Sequence, residues 1–407
     1  MTDQEGPRRR PRLLSGARPT GENHRATTFE LFFDLVFVFA ATRVTALMAH
    51  EHDFQGLLQG LLLLALLWWT WEAYTWLGNQ ARADEGVVRG GMAVATVGVF
   101  VVALAVPEAW HDAPGGLHGP LVLVCAYLFV RAVHLTVHSV AAGGAAGPRR
   151  RLTLSWASLL AGVPLLVAGA LFGGWTQTLL FAGALAVDWA GTYLAARDGD
   201  WRVHSAAHWS ERHGLFVLLA IGESVAAIGV GAAGSAVGSA VGAAPLAAAV
   251  LGVVVALCLW WLYFDVVALA AEHRLVRTLG AIRAKMVVDA YTYGHFPIVA
   301  GIVVTALGVE GVLARAEQGA ALGGFYAPAL FGGAALYLGG HVLFGARMHA
   351  VLSLPRLVAV GVLLAALPVA IMVPPLAALA LLTLVLAALV AVETIRYAEQ
   401  RRDLREV

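Results

Sequence analysis

FELFFDLVFVFAATRV, residues 29–44, reads as the body of a membrane-spanning helix, yet it carries Glu30, Asp34 and Arg43. The whole chain places it in a membrane: 59% of its 407 residues are hydrophobic and only 13% are charged. The mean hydropathy of +0.76 lies far outside the range of soluble domains, and no segment has enough polar surface to cover a water-soluble fold. Twelve runs of about 20 mostly apolar residues, the length that crosses roughly 30 Å of hydrocarbon, fall near 28–49, 55–77, 88–107, 118–140, 152–172, 175–196, 213–232, 245–269, 284–309, 326–346, 357–373 and 376–396. They are too long, too continuously apolar and too rich in Ala and Leu for the ten-residue alternating strands of a barrel. The expected fold class is therefore all-α, a polytopic bundle of about twelve transmembrane helices.

Basic residues alternate with the spans. Six Arg precede the first span, and the even-numbered connections carry Arg82 and Arg89, Arg149 to Arg151, Arg197, Arg202 and Arg212, Arg274, Arg277, Arg283 and Lys285, then Arg347 and Arg356. The other connections hold one basic residue, Arg315. Because Lys and Arg collect on the cytoplasmic side, both termini are expected in the cytoplasm and the protein in a bacterial inner membrane. The net charge of +1 therefore gives no reason to expect a nucleic-acid partner. No cleaved signal peptide is expected, since the first apolar run begins well after RRRPRLL and carries acids. Cys125 and Cys258 both lie in spans, which excludes a disulfide scaffold.

Similar segments recur six spans apart. WWTWEAY (68–74) in the second span pairs with WWLYFDV (260–266) in the eighth, and the fifth and eleventh spans both begin with Arg-Leu, at Arg151 and Arg356. An even offset implies a parallel 6+6 duplication. The expected organisation is a basic tail at 1–27, a first six-helix half at 28–196, an amphipathic cytoplasmic linker at 197–212, a second half at 213–396 and a tail at 397–407.

RATTFELFFDLVFVFAATRV (25–44) resembles the first-helix signature of the bacterial low temperature requirement A protein family. HWSERHGLFVLLAIGESVAAIG (208–229), LWWLYFDVV (259–267) and YTYGHFPIVAGIVVTALGVE (291–310) are similar to that family's other characteristic segments, in the same order. The resemblance runs from about residue 25 to the last helix. It implies a multi-pass inner-membrane protein, associated by the family's name with growth in the cold, and it names neither substrate nor reaction.

A charge at the centre of a span costs about 2.5–3.5 kcal/mol on insertion scales, so each needs a reason. Thr27-Thr28-Phe29-Glu30 fits a capping box, which makes Glu30 a cap at the positive end of the helix dipole. Asp34 lies roughly 9 Å along the axis from Thr28, too deep for that role. Arg43 is about 13 Å from Asp34 and half a turn round; it is expected to snorkel to the far interface. Given the orientation, Glu72, Arg131, His134, Asp265, Asp289 and His341 fall with Asp34 in the cytoplasmic half of their helices. They form either a hydrated vestibule or a set of helix-locking pairs, with Arg131 the natural counter-ion for the acids. Asp34 and Glu223, the latter near the middle of its span between Gly222 and Ser224, are the proton or cation site candidates; Asp188 is the next. Pro297, with Gly294 and His295 beside it, opens the ninth span and allows His295 to line a cavity.

His204, His208 and Glu211 share a helix face at i, i+4 and i+7, but Ser205 stands where a metal-hydrolase motif needs Glu. An interfacial helix anchored by Trp201 and Trp209 is the favoured reading, and no metal is assigned. No phosphate loop, nucleophile elbow or dinucleotide fingerprint is present, so neither cofactor nor enzymatic activity is expected. The expected partners are the lipid bilayer and a small solute or ion, with the oligomeric state open. The leading reading is a transporter coupled through intramembrane carboxylates. A channel with the same acids lining a pore, or a non-transporting sensor or enzyme, are the alternatives.

Overall fold

A computed structural model describes residues 20–22, 24–142, 146–196, 202–234, 242–349 and 352–405. The Arg8–Arg10 run, Trp201 and Arg197 of the linker, and part of the small-residue loop at 229–242 lie outside the described residues.

Apolar runs become helices because each backbone polar group must be satisfied within its own segment when water is absent. The elements are α1 (Thr28–Glu51), α2 (Phe54–Gln80), α3 (Gly86–Ala105, extended by a 3₁₀ turn), α4 (Gly119–Ala142), α5 (Ala146–Phe172), α6 (Gly174–Ala196) and α7 (Ala206–Gly234). They continue with α8 (Ala243–Phe264), α9 (Val267–Arg277), α10 (Gly280–Met286), a π-helical turn (Val287–Tyr293) and α11 (His295–Ala314). The last are α12 (Gly323–His349), α13 (Leu354–Met372), α14 (Pro375–Arg396) and a polar α15 (Ala398–Arg405). Eleven segments among the described residues are long and apolar enough to span a membrane. The remaining expected span, α6, is an uninterrupted helix of 23 residues. The protein is an all-α, multi-pass membrane protein.

Two compact units divide the chain: residues up to Ala40 with Trp69–Trp209, and Ala41–Trp68 with Ser210 onward. In the first, α3 packs on α4 and α5 on α6. Gly98 admits Val130 and Phe129 between α3 and α4, and Gly191 admits Ser158 between α6 and α5.

In the second unit, α11 and α12 make the most intimate contact. Gly301 and Gly308 on one helix, and Gly333 and Gly340 on the other, recur at spacings of seven. A Cβ at any of the four would press on the opposite helix's backbone, at Tyr337, Leu330, Thr305 and Ile298 respectively. Small residues thus do what the hydrophobic effect cannot do between helices in lipid: they bring backbones into dispersion contact. Apolar side chains such as Val97, Phe100 and Leu104 of α3 and Val358 and Val362 of α13 remain exposed, as surfaces facing acyl chains must.

The ninth span is broken as expected at the YTYGHFP segment. Pro297 has no N–H to give the carbonyl of Tyr293, and the π-helical turn ends at that residue. Gly294 makes this turn possible, since a Cβ there would strike the carbonyl of Ala290.

Candidate functional site

In the first unit the opening stretch enters two clusters. The capping box forms: the Thr27 amide and hydroxyl donate to Glu30 Oε2 at 2.9 and 3.0 Å, and the Glu30 amide donates to Thr27 Oγ1 at 3.2 Å. Its other oxygen, Oε1, lies 2.8 Å from His208 Nε2. Behind that ring, Asn79 donates from Nδ2 to the Ser205 carbonyl at 2.7 Å and faces His208 Nδ1 at 3.3 Å, while its Oδ1 accepts from the His204 amide at 2.9 Å. His24 stacks on His208 with ring centroids 5.4 Å apart. Burial holds the His24 ring below its ordinary pKa. Gly78 is required beside Glu30, because a Cβ would fall on Oε1.

His24, Glu30 and His208 bring three potential ligand atoms within 4.8 Å of one another. The hydrogen bonds argue against a metal. Asn79 is committed by the Ser205 carbonyl and the His204 amide to present its NH₂ to His208 Nδ1, which makes Nδ1 the acceptor and leaves the ring proton on Nε2, donated to Glu30. A metal on Nε2 would displace that proton and leave Nδ1–H against an NH₂ group. The cluster is a polar lock between the start of α1 and the start of α7.

Deeper in the same unit, Asp188 of α6 accepts from three helices: Arg131 Nη2 of α4 at 2.5 Å, Trp69 Nε1 of α2 at 2.9 Å and Ser158 Oγ of α5 at 2.9 Å. All lie inside the unit, and the Arg131 and Asp188 side chains are 4% and 8% exposed. Arg131 is thus the counter-ion of Asp188. The Arg131 Nε and Nη1 atoms are buried with no hydrogen-bond partner among the described residues. Asp34 is fully buried and accepts from Trp71 Nε1 at 2.6 Å. Glu72 is buried in α2, and His134 packs edge-on to Tyr74 at 5.1 Å. Arg43 is half-buried.

In the second unit the broken span organises an aromatic and histidine cluster. Trp68 Nε1 donates to the Thr292 carbonyl of the π-helical turn at 2.9 Å, and His295 Nδ1 lies 3.3 Å from the Ala290 carbonyl, so side chains satisfy backbone that the turn leaves open. With Nδ1 donating, His295 Nε2 accepts from the Tyr263 hydroxyl at 2.9 Å. Tyr291 stacks on His295 at 4.8 Å and donates to Ser210 at 3.3 Å. His295 is fully buried among these groups.

Asp265 follows α8 and accepts from Arg401 of α15 at 2.8 Å; Asp289 lies 3.5 Å from the exposed Arg347. Glu223 is half-buried in α7, and its neighbours Gly222, Val225 and Ala226 are exposed. Arg356 and Glu393, which no sequence pattern links, form a buried pair with N–O distances of 2.7 Å. Arg356 reads from the sequence as a loop charge, and the position of Glu393 one turn before Arg396 is the one signal of the pair.

Residues 25–391 match the family described as bacterial low temperature requirement A protein. The chain belongs to that family. An uncharacterized protein of Rhizobium meliloti (strain 1021) is 26% identical over 329 residues, covering 78% of this chain and 76% of that protein. No solved structure matches. The matched span takes in the intramembrane charges from Glu30 to Arg356 and ends two residues before Glu393.

Proposed function

We propose that this family member is a transporter of a small solute or ion in a bacterial inner membrane, with both termini in the cytoplasm. In this reading buried acids carry a coupling proton or cation: Asp34 and Asp188 are the sites, Arg131 is the balancing charge and Glu223 is a further acid on the pathway. Partners are the bilayer and the solute, and no covalent chemistry is involved.

The observation that supports it is Arg131. A guanidinium placed only to lock helices would satisfy its remaining N–H groups, because a buried unmade hydrogen bond costs about 1–3 kcal/mol. Here Nε and Nη1 have no partner among the described residues although Asp188 is engaged by three donors. Such capacity at membrane depth is expected where an ion or solute passes or where the pair exchanges partners. The Arg distribution supports the orientation.

The test is flux in proteoliposomes, read as a pH change or current under imposed gradients. Asp34→Asn, and the uncharged pair Asp188→Asn with Arg131→Gln, should each abolish it. Full flux in both would overturn the assignment of these residues.

A further inference from the structure

A second site lies in the other unit, apart from the coupling acids. A cavity of about 330 Å³ opens where the α8–α9 junction, α12, the start of α13 and the end of α14 meet. Val266, Ala270 and Phe344 give it an apolar wall, and its polar groups are His341, Ser353, Arg356 and Glu393. The volume is at the lower end of the range for small-molecule sites, roughly 300–1,000 Å³.

The polar groups are unevenly spent. Arg356 directs Nε and Nη2 to Glu393 and Nη2 also to the Leu262 carbonyl, at 2.7, 2.7 and 2.8 Å. Both Nη1 protons remain without a protein acceptor among the described residues. Ser353 is the N-cap of the 19-residue α13, yet it makes no capping hydrogen bond, and its hydroxyl has no partner. The positive end of the α13 dipole therefore faces the same place as an unused hydroxyl and half a guanidinium. His341 is 3% exposed; it gives its Nδ1 proton to the Tyr337 carbonyl at 2.9 Å, which leaves Nε2 as an unpartnered acceptor.

We infer that this cavity binds a small organic carboxylate, with a hydroxyl on the ligand preferred. Arg356 Nη1 and Ser353 donate to the carboxylate, His341 Nε2 accepts from the hydroxyl, and the apolar wall takes the body. An ammonium ligand is disfavoured, because both oxygens of Glu393 are engaged and the guanidinium and helix terminus repel it. The inference does not depend on transport, since occupancy is measured on the detergent-solubilised full chain.

Calorimetric titration with three probes of one shape tests it: mandelate, phenylacetate and 2-phenylethylamine. Mandelate should bind, phenylacetate about tenfold more weakly for want of the hydroxyl, and the amine not at all. Ser353→Ala should weaken mandelate roughly tenfold, and His341→Phe should erase the preference for mandelate over phenylacetate. Arg356→Gln with Glu393→Gln, which leaves no lone charge, should abolish carboxylate binding. Absence of mandelate binding to the wild-type chain, equal binding of the amine, or unchanged binding in folded Ser353→Ala and His341→Phe proteins would each overturn the inference.

Discussion

Replacing Asp188 by Asn should be among the most damaging single changes in the first unit, because one carboxylate serves three helices. It accepts from Arg131, Trp69 and Ser158 at 2.5, 2.9 and 2.9 Å. Asn preserves volume but removes the charge opposite a guanidinium that is 4% exposed, and its NH₂ must face at least one donor. Breaking a buried pair from one side costs about 3–5 kcal/mol; a lost neutral hydrogen bond costs about 1 kcal/mol. Adding Arg131→Gln removes the stranded charge, so the double variant should recover most of the loss and lie within about 1–2 kcal/mol of wild type. A double-mutant cycle on unfolding by SDS titration in mixed micelles measures the coupling directly. If Asp188→Asn cost less than about 1 kcal/mol, or if the two single effects simply added, the pair would not be the desolvated one described here.

Thr27→Ala should cost about 1 kcal/mol through loss of the cap, seen as faster amide exchange confined to the first turn of α1. Gly78→Ala should drive Glu30 from His208, since the added methyl meets Oε1; a loss of about 1–3 kcal/mol is expected, measured by thermal unfolding in detergent. Tyr263→Phe leaves His295 Nε2 without its donor and should cost about 1–3 kcal/mol, whereas Phe at the exposed Tyr193 serves as the neutral control. For His24, burial holds the folded pKa below 6.5. The unfolded chain therefore takes up a proton first as pH falls, so His24 contributes stability above about pH 6.5 that is lost as pH drops through its folded value. His24→Phe, which keeps the stack on His208, should flatten that part of the pH–stability curve; an unchanged curve would remove His24 as its cause.

Much of the site was legible as a list of residues and little of it as a set of partners. The hydropathy of spans such as FELFFDLVFVFAATRV reports a helix in lipid because backbone satisfaction there is local, and the Thr27–Glu30 cap is equally local. Arg131 and Asp188 both stood out as costly intramembrane charges, but 57 residues separate them, and no period or motif links one to the other. Glu30 shows the two levels in a single side chain. Its Oε2 closes a box with a residue three positions away, and its Oε1 meets His208 across 178 residues.

By itself, then, the sequence determined that the chain is an all-α membrane protein of this family, where its helices run, where one of them breaks and which charges need explaining. Only the tertiary structure decided which acid meets which base. It also decided that Glu223 is half-buried while Asp34 is fully enclosed, and that Arg356, counted from the sequence as a surface charge, is locked to Glu393. The reason is physical. Helix formation and insertion depend on each segment's own transfer energy, whereas desolvation and pairing depend on which faces of distant helices come together, and that is set by packing over the whole unit.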